Sequence, residues 1–282
     1  MAIAAHCRNH ARSAGPASSE TAYLVAAALL FAASAAATVV WCGSMSAMRG
    51  MRMPGGWTMS MAWMRMHGQT WAAAAASFLG MWVVMMAAMM LPSLVPMLSR
   101  YRRASVAAGV ERSDRLARRT AVVAAGYFFV WTVFGMAVFP IGAVLAAVEM
   151  HRPSLARAVP LLIGAVVLAA GLAQCTRWKA HRLACCDGAA RRNDPALGPD
   201  LGAAWRHGLR LGVDCLLCCS PLTAILFASG VMDLVAMAVV TVAISLERLA
   251  PRGARLARVT GVVAVGAGLY LIAVAVHGSG FI

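Results

Sequence analysis

Three cysteines stand within five residues, Cys215, Cys218 and Cys219, in the run Cys-Leu-Leu-Cys-Cys. On a helix, positions i, i+3 and i+4 share one face, so all three sulfurs are expected to converge. Thiolates are strong ligands for soft metal ions. Asp214 adjoins the run, and Pro221 takes the helical partner away from the Leu217 carbonyl, leaving one more polar group at the site. A buried cysteine often serves only as a small hydrophobe. Three so close together point instead to a ligand role.

A second group lies upstream, in His181-Arg182-Leu183-Ala184-Cys185-Cys186. His181 and Cys185 have i, i+4 spacing, and the surrounding cations favour the thiolate form. Cys185, Cys186 and His181 are therefore candidate ligands, as is His207 ahead of the triple-cysteine run; an ordinary basic loop is the competing reading. The third group is methionine. The segment 43–69 holds Met45, Met48, Met51, Met53, Met59, Met61, Met64 and Met66. Thioethers bind Cu(I), are never protonated and do not form disulfides, which suits the oxidising side of a membrane. Met59 and Met61, in MxM spacing, are candidate ligands there. An interfacial loop lying on lipid through Trp57, Trp63 and Trp71 is the alternative. Further on, Met81, Met85 and Met89 form one helical stripe with Met86 and Met90 beside it. Met85 and Met89 are taken as weak intermediate ligands, against the plain reading that methionine fills gaps in a core.

What must position these groups follows from composition. Of 282 residues, 61% are hydrophobic and only 12% charged, and the mean hydropathy is +0.75. Soluble domains carry about a quarter charged residues. The implied solvent is lipid, and several apolar runs of about 20 residues are long enough to cross it. Few runs alternate with period two, so helices are expected rather than a barrel. The fold class is all-α: a polytopic transmembrane helix bundle of about seven spans. These fall near Ala22–Cys42, Trp71–Leu98, Thr120–Val148, Leu155–Cys175, Leu211–Ser229, Asp233–Leu249 and Val259–Val276. Pro92 and Pro96 should kink or unwind the second. Ala35 and Ala37 give the first span some likeness to a cleaved signal peptide, but its apolar run exceeds the usual ~7–15 residues.

The net charge of +15 and pI near 10.9 come mainly from arginines between spans, where they set topology and meet anionic lipid, so no nucleic-acid partner is expected. The segments after spans two, four and six are arginine-rich and should be cytoplasmic. The amino terminus is then inside, and the methionine-rich segment outside. Three regions follow: a disordered cytoplasmic tail at 1–21, the first helix with the methionine-rich outer loop at 22–69, and a multi-pass metal-binding domain at 70–282. Asp233 and Glu247 sit at the two ends of one span, where interfacial positions suffice for both. No nucleophile motif, P-loop or dinucleotide fingerprint is present, so no enzyme is expected.

The chain also resembles a family of bacterial predicted metal-binding integral membrane proteins, a domain of unknown function, over about residues 70 to 275. The likeness rests on Trp82 to Met97 (WVVMMAAMMLPSLVPM), on Gly208 through Cys219, on Ser229 to Leu234 (SGVMDL) and on Leu246 to Gly253 (LERLAPRG). It implies a multi-pass membrane protein with a metal site at Cys218-Cys219, and no reaction; the localisation expected for the chain is the cell's inner (plasma) membrane. Family members carry a glycine and a tryptophan where this chain has Leu217 and Ser220, and often a histidine where it has Leu211. Of a two-cysteine motif upstream, Cys186 matches and Arg182 replaces the other cysteine.

The function expected is binding of a soft metal ion, copper(I) or a similar ion, in metal handling or transport. The partners are the bilayer, the metal, and a second copy or another membrane protein. A rival is a non-enzymatic membrane assembly subunit with structural cysteines. A thiol-redox enzyme using Cys218 and Cys219 is disfavoured, because adjacent cysteines close strained rings.

Overall fold

The computed structural model describes residues 16–278, apart from 48–50, 54–56, 60–62, 66–67, 111 and 190–199; the side chains of 16–18, 46–47, 51–52, 58–59, 185–189 and 278 are also outside the description. In chain order the elements are α1 (Pro16–Ala47), a two-residue ladder of β1 (Met51–Arg52) and β2 (Thr58–Met59), α2 (Trp71–Ala107), α3 (Ser113–His151), α4 (Pro153–Gln174), α5 (Arg177–Ala189), α6 (Leu201–Ser229), α7 (Leu234–Leu249) and α8 (Gly253–Gly278). The all-α expectation holds in outline. Six helices, α1, α2, α3, α4, α6 and α8, are long and apolar enough to cross a membrane. The seventh expected span corresponds to α7, whose 16 residues reach only about 24 Å at 1.5 Å per residue.

Helix boundaries follow local chemistry. Thr70 caps α2 by accepting from the Ala73 amide at 3.2 Å. Asp233 caps α7, accepting from Val235 and Ala236 at 2.8 and 3.0 Å, so this carboxylate is a helix cap rather than a buried charge. Gly230, at φ 110°, ends α6 in a conformation that side chains avoid.

Several boundaries differ from those read in the sequence. α1 starts at Pro16, so 16–21, expected to be disordered, are helical; residues 1–15 lie outside the described residues. There Glu20 and Ser19 bind Arg102, tying α1 to α2. α2 continues as helix through Pro92 and Pro96, so of the kink or unwinding expected there, unwinding does not occur. Its arginines 100, 102 and 103 are therefore helical, and Arg102 is buried. α6 begins ten residues earlier than expected, at Leu201, and half of the basic segment before it forms α5.

About half of the apolar stretch of α2 and of α6 is buried, whereas α1, α3 and α8 keep most of theirs outward. Val40, Val235, Val262, Val263 and Tyr270 are among the exposed apolar side chains. The core thus centres on α2 and α6. α6 approaches α3 through glycines: a Cβ on Gly126 would meet the Trp205 carbonyl at 2.8 Å, and one on Gly212 the Tyr127 carbonyl at 2.9 Å. Small residues at such crossings let backbones come close. α4 and α8 pair in the same way, through Gly164, Gly171, Gly261 and Gly268.

Part of the methionine-rich segment is packed rather than free. Met53 is buried, and with Trp57, Trp63 and Met64 it covers Ala146 of α3 and Ala156 of α4. Trp57 donates its ring N–H to the Ala156 carbonyl at 2.9 Å. Packing inside the protein thus accounts for these residues, a role that neither the ligand reading nor the lipid-surface reading of the segment assigned them. Met61 and the Met59 side chain lie outside the described residues.

Candidate metal centre

Cys215, the fifteenth residue of α6, is fully buried, and Cys218 and Cys219 are buried beside it. The Cys215 and Cys219 sulfurs, one helical turn apart, are separated by 3.8 Å. The Cys219 thiol also hydrogen-bonds the Cys218 thiol, although among the described residues no three His, Cys, Asp or Glu side chains are grouped to hold a metal ion. A thioether from another helix joins the group. Met90 of α2 brings its Sδ to 4.0 Å from the Cys215 sulfur.

Two donors complete the surroundings of Cys215. The Tyr127 hydroxyl of α3 donates to its sulfur at 2.9 Å, and Arg248, at the end of α7, donates Nη1 at 2.7 Å. Arg248 also reaches the Met97 sulfur with Nη2 at 2.9 Å and the Ser93 hydroxyl with Nη1 at 3.3 Å. Met86, Met90, Ser93 and Met97 form one stripe of α2, at spacings of four, three and four. One thiol is therefore the meeting point of four helices.

A second polar cluster lies immediately behind. Lys179 and Glu247 are 1% and 3% exposed, and their charged atoms are 2.8 Å apart. The Lys179 ammonium also donates to the Cys218 carbonyl at 2.6 Å. Gln174 and Thr260 donate to the other Glu247 oxygen, each at 2.7 Å. Glu247 is thus a buried ion-pair member, not the interfacial group expected. The carbonyl that Pro221 frees is also satisfied, since the Ser220 hydroxyl donates to Leu217 at 2.9 Å. It faces no metal.

Other candidates separate from the centre. His207 stacks on Tyr101, ring centroids 5.2 Å apart, and lies eight residues before Cys215, about 12 Å along the helix axis. His181 is exposed two residues beyond buried Lys179, so it faces the other side of α5. α5 carries Cys185 and Cys186, whose side chains lie outside the described residues. Met85 and Met89 are buried on α2, but the thioether touching Cys215 is that of Met90. Sequence reasoning did not assign roles to Met90, Met97, Tyr127, Arg248 or Lys179. The available signals were the seven-residue spacing of Met90 and Met97 and the Glu-Arg pair closing an apolar span.

A cavity of about 450 Å³ adjoins the centre on its arginine-rich side, with Met97 and Arg248 in its wall. Fold and site together define a helical protein with a buried cysteine–methionine sulfur group beside a basic cavity. Residues 79–271 match the model of the PpoB2 family, described as copper chaperone, and the chain belongs to that family. Its function is copper-related. No curated protein and no solved structure matches the chain. The match spans α3 to α7 and most of α2 and α8, so it contains Met90, Tyr127, the cysteine run and Arg248.

Proposed function

We propose that this chain is an integral membrane copper(I) chaperone, holding the ion between Cys215, Cys219 and Met90 and releasing it by ligand exchange without catalysing a reaction. The observation that carries the reading is the contact of these three sulfurs, at 3.8 and 4.0 Å from Cys215. Two metal–sulfur bonds of ~2.3 Å span up to ~4.6 Å, so one ion can bridge each pair after small adjustments. Thiolate and thioether are the ligand types that select Cu(I). Two thiolates and one Cu(I) carry a single negative charge, and the Arg248 guanidinium supplies its counterpart. That balance matters because an uncompensated buried charge is costly.

The membrane reading is supported by the six long apolar helices and by the apolar outward faces of α1, α3 and α8. α7 makes the seventh crossing in this reading. It starts beside the turn after Ser229 and ends where Arg248 meets Met97 and Cys215, so it runs between the two ends of the bundle. Arginine-rich ends face the cytoplasm under the positive-inside rule, which places the amino terminus and the mouth of the sulfur centre inside. A reducing cytosol keeps Cys215 and Cys219 from pairing. At the opposite end the Cys42 thiol meets the Met232 sulfur at 3.9 Å.

The test is metal analysis of detergent-purified protein against a variant with Cys215, Cys218 and Cys219 changed to serine. The native chain should carry copper and the variant should not; equal content ends the reading. One observation favours the rival of structural cysteines: Arg248 and Tyr127 already satisfy the Cys215 sulfur. The same measurement separates the two.

A further inference from the structure

We infer that the basic cavity beside the sulfur centre binds a small anionic thiol peptide, the form in which Cu(I) reaches or leaves Cys215. This inference rests on the copper reading and adds the identity of the exchange partner. Arg100, Arg248, Arg252, Arg255 and Arg258 line the cavity. Glu247 is its sole acidic lining residue among the described residues, and that carboxylate is held by Lys179, Gln174 and Thr260. The cavity is therefore positive. A bare monovalent cation is repelled there, yet Arg248 and Met97 form both its wall and the surroundings of Cys215.

Copper that uses this route must travel as an anion. Cu(I) held by two thiolates has one negative charge, and carboxylates on the carrier add more. Guanidinium groups bind carboxylates through paired hydrogen bonds, a geometry that ammonium does not offer. The volume of about 450 Å³ falls within the range of ~300–1,000 Å³ usual for small-ligand sites. Exchange then balances. Copper stays Cu(I) throughout, and its two bonds to carrier sulfurs are replaced by bonds to Cys215 and Cys219. The two protons leaving those thiols go to the departing carrier thiolates, and one negative charge is conserved on each side.

The test uses S-methylglutathione, which keeps the carboxylates but has no free thiol and carries no copper. Its binding to the full chain in neutral-lipid nanodiscs should be salt-sensitive. It should weaken by about tenfold or more when Arg252, Arg255 and Arg258 are changed together to glutamine. Changing the same three to lysine should retain part of the binding. Helix content and unfolding temperature verify that each variant is folded. Equal binding by the native chain and the glutamine variant overturns the inference. So does loss of native binding when phosphatidylglycerol enters the nanodisc, which would make the cavity a lipid-headgroup site. The probe reports on the cavity alone, whereas the copper reading stands or falls on metal content.

Discussion

Arg248 donates to the Cys215 sulfur at 2.7 Å while its chain neighbour Glu247 is locked in a buried pair with Lys179. The end of α7 is thus fixed by one ion pair and delivers a positive charge to the thiol with the next side chain. Hydrogen bonds involving a charged group are worth ~1.5–3 kcal/mol. Changing Arg248 to glutamine should therefore lower Cu(I) affinity by about tenfold to a hundredfold. Competition with a coloured Cu(I) chelator measures this, and an unchanged affinity removes Arg248 from the site.

Met90 and Met89 are both buried on α2, but Met90 is the one that meets the Cys215 sulfur. Leucine has a similar volume and no sulfur, so either change costs the fold less than about 1.5 kcal/mol. Met90→Leu should weaken Cu(I) binding by at least ~10-fold, the lower end of what loss of a supporting group around a metal costs. Met89→Leu should leave affinity where it was. The same chelator titration on the two variants reads the difference; equal effects mean that α2 supplies packing and no ligand.

Lys179 and Glu247 make a second, independent test, of stability rather than of copper. Breaking a buried pair by removing one partner costs ~3–5 kcal/mol, because the remaining charge is stranded. Lys179→Met should lower the unfolding temperature sharply in detergent. Adding Glu247→Gln should recover much of the loss, since the amide still serves Gln174 and Thr260. A double variant as unstable as the single one would show that the pair is not the source of the effect.

The helical architecture was legible because long apolar runs without period-two alternation favour helix, and the positions of the six long apolar helices followed from hydropathy. Helix ends were less so. Residues 16–21 and 201–210 are polar enough to read as loop, yet Glu20 binds Arg102 and buried Ala203, Ala204 and Gly208 pack α6 against its neighbours. The cysteine run announced the site, since i, i+4 spacing brings Cys215 and Cys219 together on any helix. Its other members come from residues far apart in the chain. Met90, Tyr127 and Arg248 are 125, 88 and 33 residues from Cys215, and no local pattern encodes such meetings. The Met85 and Met89 stripe has the right period and lies one residue to the side of the stripe that touches the thiol.

The contact between Cys215 and Tyr127 depends on how closely α6 lies against α3, and that closeness is set by glycine. Gly208 faces the Val123 backbone with no room for a Cβ, and Gly126 faces the Trp205 carbonyl. Tyr127 follows Gly126 directly, and Cys215 stands two turns after Gly208 on the same face of α6. Gly208→Ala must therefore push two backbones apart, since neither obstacle is a flexible side chain. Overpacking of this kind costs ~1–3 kcal/mol. The expected result is a lower unfolding temperature together with weaker Cu(I) binding, although residue 208 touches no sulfur. Gly80→Ala, where a Cβ meets nothing within 4 Å, is the control and should change neither. If Gly208→Ala binds copper as tightly as the native chain, the α3–α6 crossing does not hold the centre in place.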